Sequence, residues 1–306
     1  MAINSSDITL SLIPETVLGT TPTTGNRYEL PIKSGQALPT YSANEIVSET
    51  MRPNRAGNGQ RRGNGSGEGT TEFHFQSGEA IDYLISSALS GSWATTGTEP
   101  DEVTSIKAAK TDKSFTVVAP LQNDWFQISA GAVCTGMTIA ATAAESVNAT
   151  FPFVFISRTD SETVNAITVT PAGEGLEYAG HEVTNITIGG VTVNYSELSF
   201  EVTQDRAMRN VLGSTTPIGV GTGGNRQVQL TLKFYKESRV MEQAFTGERQ
   251  AISFDIGVEG DGYRFTIPAG QASFPSDESA NELMTSVVFT AAYDNTEQTD
   301  VIVTKL

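Results

Sequence analysis

The sequence predicts a mainly β protein in two similar halves, and three observations predict it. Glycine supplies 29 of 306 residues, with abundant Thr and Ser, a composition that favours extended strands and turns over helices. Short runs alternate apolar and polar residues between turn residues. The clearest is residues 186–193, where Ile186-Thr187-Ile188 and Val191-Thr192-Val193 flank a Gly189-Gly190 turn. The third observation is internal repetition, which is settled before any motif is read.

The repeated unit is a strand, a glycine-rich excursion, a returning strand and a short amphipathic helix. Its first copy opens at Ile46-Val47-Ser48-Glu49, passes through the Arg/Asn/Gly-rich residues 52–69, returns over 70–75 and closes its helix on Ala88-Leu89-Ser90-Gly91. The second opens at Leu198-Ser199-Phe200-Glu201, passes Asp205-Arg206 and the glycines between 213 and 224, returns over 228–234, and closes on Ala244-Phe245-Thr246-Gly247. A third match sets Phe126-Gln127-Ile128-Ser129-Ala130-Gly131 against Phe265-Thr266-Ile267-Pro268-Ala269-Gly270. Two units follow, residues 1–165 and 166–306, each of ordinary domain size.

In chain order, residues 1–30 read as an extended arm, with a strand over 28–32 ended by Pro31. The glycines at 57, 59, 63, 65, 67 and 69 allow positive φ and argue for a loop without a packed core. Arg52, Arg55, Arg61 and Arg62 make that loop locally positive, suited to docking on acidic surface of a neighbouring subunit. Ile81, Leu84, Ile85 and Ala88 share one face at helical spacing, as do Val240, Met241 and Phe245, so each helix covers an open end of its sheet. Residues 92–112 form a connection. Strands are expected over 114–119, 124–128, 133–140, 147–156, 252–258, 263–267 and 283–293, with a last edge strand at 301–303. Residues 157–181 join the halves.

Composition narrows the function. Net charge is −16, so duplex DNA is not bound over the general surface. One cysteine, Cys134, excludes an internal disulfide framework and reads as a core thiol. Two histidines leave little for a metal site or a catalytic triad, and no Gly-x-Ser-x-Gly, His-Glu-x-x-His, Cys-x-x-Cys or EF-hand pattern occurs. Residues 63–67 lack the lysine and following helix of a phosphate-binding loop, and Asp255, Glu259 and Asp261 read as solvated turn residues. Neither enzyme nor cofactor nor metal is expected. The opening residues lack a signal peptide's basic start and apolar core, and no apolar run approaches ~20 residues. A soluble protein made in the cytoplasm is expected.

The order of these features resembles the major tail tube protein of long non-contractile-tailed bacteriophages. The resemblance rests on Gly19-Thr20-Thr21-Pro22, Leu30-Pro31-Ile32, Ser48-Glu49 with Arg55, the Gly/Arg loop, and the helix ending Ala88-Leu89-Ser90-Gly91. It continues in Val183-Thr184-Asn185-Ile186, Gly189-Gly190-Val191-Thr192-Val193, Asp205-Arg206 and Gly219-Val220-Gly221, and spans about residues 15–293. It implies two β-sandwich or split-barrel units, each with a flanking helix, whose inner strands join neighbours in a large β-barrel. Such rings stack into a virion tube, assembled in the host cytoplasm with a tape measure protein and a tail terminator, through which DNA passes an acidic lining without specific binding. Since family rings present six units and this chain carries two, a trimeric ring with approximate sixfold symmetry is expected, with a hexamer as the competitor. Other readings are a different tail ring or injection-tube component, or a carbohydrate-binding surface adhesin. Only two tryptophans, Trp93 and Trp125, argue against the adhesin.

Overall fold

The computed structural model describes residues 8–50, 52–53, 56, 58–121, 125–164, 167–173, 175–189, 191–192, 194–236, 247–258, 260–279 and 282–306. Among these it is mainly β, with 21 strands and one α-helix. The first half holds β1 (Leu10–Pro14), β2 (Asn26–Leu30), β3 (Thr40–Val47), β4 (Gln60–His74), α1 (Glu79–Leu89), β5 (Trp93–Thr96), β6 (Val103–Lys107), β7 (Phe115–Pro120), β8 (Phe126–Cys134), β9 (Gly136–Thr142), β10 (Asn148–Phe155) and β11 (Ser157–Ser161), and β12 (Thr168–Thr170) follows just beyond its boundary at residue 165. The second holds β13 (Val183–Ile188), β14 (Val191–Thr192), β15 (Glu197–Arg209), β16 (Gly219–Tyr235), β17 (Arg249–Val258), β18 (Asp261–Ala272), β19 (Ser276–Ser279), β20 (Leu283–Ala291) and β21 (Ile302–Lys305).

One antiparallel sheet crosses both halves in the order β3-β4-β10-β9-β15-β16-β20-β19. Its alternation is clean. The rung Phe73–Ala149–Ile139–Phe200–Leu230–Phe289 is buried throughout, while the next rung, Glu72–Thr150–Thr138–Glu201–Gln229–Thr290, is polar. A period of two therefore sends one face into the core and the other outward. Two strand groups back the apolar face. In the first half, β2-β1-β7-β8-β11 form one group, with β12 parallel to β2; in the second, β14-β13-β17-β18-β21 run on through β6 to β5. The main core lies between these layers and includes Phe73, Phe151, Phe153, Phe200, Phe254 and Phe265.

The pairings of the first half recur in the second. β1 pairs with β2 and β7, β3 with β4, β4 with β10, β10 with β8 and β9, and β8 with β7 and β11. In the same pattern β13 pairs with β14 and β17, β15 with β16, β16 with β20, β20 with β18 and β19, and β18 with β17 and β21. Even a bulge recurs: Phe115/Val117 against Ala132/Ser129, and Gln250/Ile252 against Gly270/Ile267. The junction β9–β15, which ties one half to the other, has no second occurrence among the described residues.

These pairings fix residue correspondences that differ from the sequence matches. The bulge sets Ala132 against Gly270, an offset of 138, where the matched glycines 131 and 270 give 139. A one-residue slip turns every side chain to the other face, and burial agrees with 138: Gln127 and Phe265 are both buried, while Phe126 is not. Following the pairings outward, Phe153 corresponds to Phe289, Phe73 to Phe234 and Thr40 to Glu201. Ile46 therefore does not correspond to Leu198.

Other expectations also change. Residues 10–14 are a buried strand between β2 and β7, not part of an arm. Glu15 pins the turn that follows, accepting hydrogen bonds from Gly19 N at 2.9 Å, Thr116 Oγ1 at 2.6 Å and Gly131 N at 2.8 Å. Residues 92–112 contain the β5–β6 hairpin. β21 lies between β18 and β6 and is not an edge. Asp255 is no solvated turn residue: it is 2% exposed and holds Arg264 through contacts of 2.6 and 2.7 Å, with Asn185 Nδ2 donating at 2.8 Å. Asp261 accepts from the hydroxyls of Ser77 and Tyr178. Glu259 lies outside the described residues.

Candidate assembly surface

The polar face of the eight-stranded sheet is built rung by rung. Beside the rung already named run His74–Asn148–Ala140–Ser199–Thr231–Val288 and Thr142–Glu197–Lys233–Ser286–Ser276, with Thr40–Glu68–Val154 at one end and Glu278–Met284–Tyr235 at the other. These rungs carry Glu68, Glu72, Glu197, Glu201 and Glu278, and Lys233 is the one lysine or arginine on them. Lys233 Nζ reaches Glu278 at 2.9 Å and Glu197 at 3.7 Å. Its pKa is raised by the hydrogen bond to Glu278, so it stays charged and leaves the face net negative. The remainder is mostly Thr and Ser, short hydroxyl side chains.

Two long hairpins rise from this sheet. β15–β16 pairs as far as Arg209–Gly219, and β3–β4 as far as Val47–Gln60. Both extensions expose apolar side chains: Ile46 and Val47 are 61% and 65% exposed, and Leu212 is fully exposed. The second hairpin also lies against the first half. Gly65 N donates to Thr215 O at 3.1 Å, and Met208 and Val220 pack with Val133, Val154 and Ile156.

The four arginines singled out in sequence divide. Arg52 sits in the exposed hairpin tip, where its Nε donates to Asn58 Oδ1 at 3.0 Å. Arg55 lies outside the described residues. Arg61 and Arg62 stand exposed on β4 rather than in a loop, and the Arg62 guanidinium lies 5.8 Å from the Tyr41 ring centre.

Four glycines of this stretch are also in the strand. Gly63, Gly65, Gly67 and Gly69 all belong to β4, and among the described glycines of the stretch only Gly59 has a positive φ, at 85°. Their inward row accommodates aromatic rings: a Cβ on Gly67 would lie 2.0 Å from Phe155 Cζ, and one on Gly69 2.5 Å from Phe153 Cζ. The stretch expected to lack a core therefore covers one. The signal was present in the glycines' period of two, which is a strand's period.

The helix residues of the first half are all buried. Ile81, Leu84, Ile85 and Ala88 are at most 1% exposed, and α1 packs against β2, β8, β9 and β15. The helix ends as the sequence suggests, on Ser90 in the left-handed conformation at φ 51°. Val240, Met241 and Phe245 lie outside the described residues. A connection that sequence reasoning missed closes the helix C-terminus. At the β15 register shift Gln204 turns inward and its Nε2 donates to Ala88 O at 2.7 Å; Arg206 donates to Ser90 Oγ at 2.8 Å and Asp112 Oδ1 at 2.6 Å. A cation and an amide donor thus meet the helix's negative end and fasten the second half's hairpin to the first half.

Among the described residues no cluster of His, Cys, Asp and Glu could hold a metal. Cys134 is fully buried, and burial pushes its thiol up to about 12, far from a nucleophile's range. No helix among the described residues is long and apolar enough to cross a membrane. A family profile described as phage tail tube protein matches residues 5–291, nearly the whole chain. No curated protein matches.

Proposed function

Because the chain belongs to the phage tail tube protein family, we propose that three copies close into a ring with approximate sixfold symmetry, each half supplying one tube unit of about residues 1–165 or 166–306. The family is structural rather than enzymatic, and membership makes this chain a virion component that self-assembles into a tube. The observation that carries the finer reading is the eight-stranded sheet with a strand pattern used twice and its two edge strands, β3 and β19, each paired on one side alone among the described residues. Such edges invite pairing with another chain. A sheet joined through three chains closes into a barrel wide enough to leave an aqueous channel.

The polar face with its five glutamates then lines that channel. Phosphates of passing DNA meet like charge and short hydroxyl side chains, so they are repelled and not bound. The fields act only near the wall, since screening confines them to about 8 Å at physiological ionic strength. The tube ends meet a tape measure protein and a tail terminator, and assembly takes place in the host cytoplasm.

Native mass spectrometry of isolated rings, with the symmetry of end-on tube images, tests the count. We expect a three-chain mass. Six chains per ring, with one half outside the channel, would overturn it.

Stacking falls to the hairpin tips. Replacing Arg55, Arg61 and Arg62 with Ser is expected to leave a folded protein that no longer stacks into tubes, and wild-type tubes should shorten as salt rises. Tubes of normal length from the triple variant, seen by negative stain, would remove the arginines from stacking.

A further inference from the structure

The internal pattern says how one copy joins the next. Within the chain, β9 of the first half pairs antiparallel with β15 of the second, from Gly136–Thr203 to Thr142–Glu197. The strand that corresponds to β9 in the second half is β19, because both pair with the strand that returns beside the hairpin: β9 with β10, β19 with β20. The strand that corresponds to β15 in the first half is β3, the opening strand of its hairpin. Among the described residues, β3 pairs with β4 alone and β19 with β20 alone. The two strands whose counterparts make the junction are therefore the two edge strands of the eight-stranded sheet.

The register carries over too. Thr138 corresponds to Ser276, since Thr138 pairs with Thr150 and Ser276 with Ser286, and Thr150 and Ser286 lie at equivalent places on β10 and β20. The backbone around this position repeats its hydrogen bond: Thr135 N donates to Pro152 O at 2.8 Å, and Ser273 N to Val288 O at 2.8 Å. Glu201 corresponds to Thr40 through Gln229 and Glu68. In the existing junction Thr138 stands opposite Glu201, and Gln204 N donates to Thr135 O at 2.7 Å.

We infer that β19 of one copy adds to β3 of a second copy, antiparallel, with Ser276 opposite Thr40, Phe274 opposite Ser42, and Ala43 N donating to Ser273 O. This interface rests on the ring reading above and gives it a residue-level joint. It is head-to-tail, so repeated application either closes or spirals, and closure follows when the internal junction already sets the same rotation. It also extends the polar face without a break: Lys233–Ser286–Ser276 of one copy meets Thr40–Glu68–Val154 of the next. Phe274, 95% exposed in the isolated chain, gains a neighbouring strand.

Paired cysteines test this on assembled protein. Directly opposed residues of an antiparallel pair bring their Cβ atoms within about 4.5–5.5 Å, close enough for a disulfide after small adjustment. Two double variants are used, Ser276→Cys with Thr40→Cys, and Phe274→Cys with Ser42→Cys, beside an out-of-register control, Glu278→Cys with Ser42→Cys. The native Cys134 is buried and does not compete. After mild oxidation, non-reducing gels are expected to show the in-register pairs as chains linked up to a closed trimer, and the control as monomer. Normal tubes by microscopy with neither in-register pair linked, or with the control linked instead, would overturn the joint while leaving the ring intact. Wild-type protein that forms neither rings nor tubes would overturn the ring reading and this interface with it.

Discussion

Leu84→Asp is expected to unfold the chain or leave it barely stable, a loss on the order of 5 kcal/mol in denaturant titration. Leu84 is fully buried on α1, between Ile81 and Ala88 on the same face. Removing its side chain forfeits roughly 2–5 kcal/mol as a cavity, and a carboxylate at this fully buried position loses its hydration. The helix cannot roll to release it. Ser87 Oγ donates to Lys113 O at 2.7 Å and accepts from Cys134 N at 3.0 Å, while Gln204 holds the Ala88 carbonyl from the other half. A domain holds only about 5–15 kcal/mol in all, so the loss consumes a large part. Leu84→Met keeps the volume and is expected to cost under about 1.5 kcal/mol. Wild-type unfolding of Leu84→Asp would place the helix on the surface.

That helix was legible because its evidence is local. Four apolar residues at helical spacing and a Ser-Gly stop determine its face and its end whatever lies around it. The same holds for hairpins whose turns announce themselves, such as Gly189-Gly190 between β13 and β14. Register was not legible, because it belongs to partners distant in sequence: Phe126 and Phe265 match as letters, yet one faces away from the core and the other into it. Buried polar groups were hidden for the same reason. Nothing near Asp255 reveals that Arg264 stands directly across a strand pair from it, and Gln204 becomes a helix cap only through a register shift that composition does not encode. The backbone of the arginine-bearing stretch was misread, since a run rich in glycine is a loop signal unless its period is counted.

The glycine row of β4 yields the other large effect. Gly67→Val is expected to cost about 3 kcal/mol or more and to lower the melting temperature by several degrees. The ring of Phe155 occupies the volume that any Cβ at this position would take, with Cζ, Cε2 and Cε1 at 2.0, 2.3 and 2.4 Å from its ideal place. Phe155 is fully buried and its ring centre lies 6.4 Å from that of Phe153, which in turn covers Gly69, so neither ring has an empty direction to move. Overpacking of this kind costs about 1–3 kcal/mol even where neighbours yield, and here two branched methyls must be placed. The gain from β propensity and from a less flexible unfolded chain is only about 1 kcal/mol, so packing wins. Gly63→Ala is the contrast: its Cβ meets Asn44 O at 3.1 Å and the exposed Ile46 side chain at 3.3 Å (Cγ1) and 3.4 Å (Cδ1), and its effect should be within about 1 kcal/mol. Shrinking the ring supplies the decisive check. Phe155→Leu alone destabilises by cavity formation, yet combined with Gly67→Val it should recover part of the loss, giving a favourable coupling of about 1 kcal/mol or more in a double-mutant cycle. Additive losses, or a Gly67→Val protein that melts with the wild type, would mean the rings are not seated on the glycines.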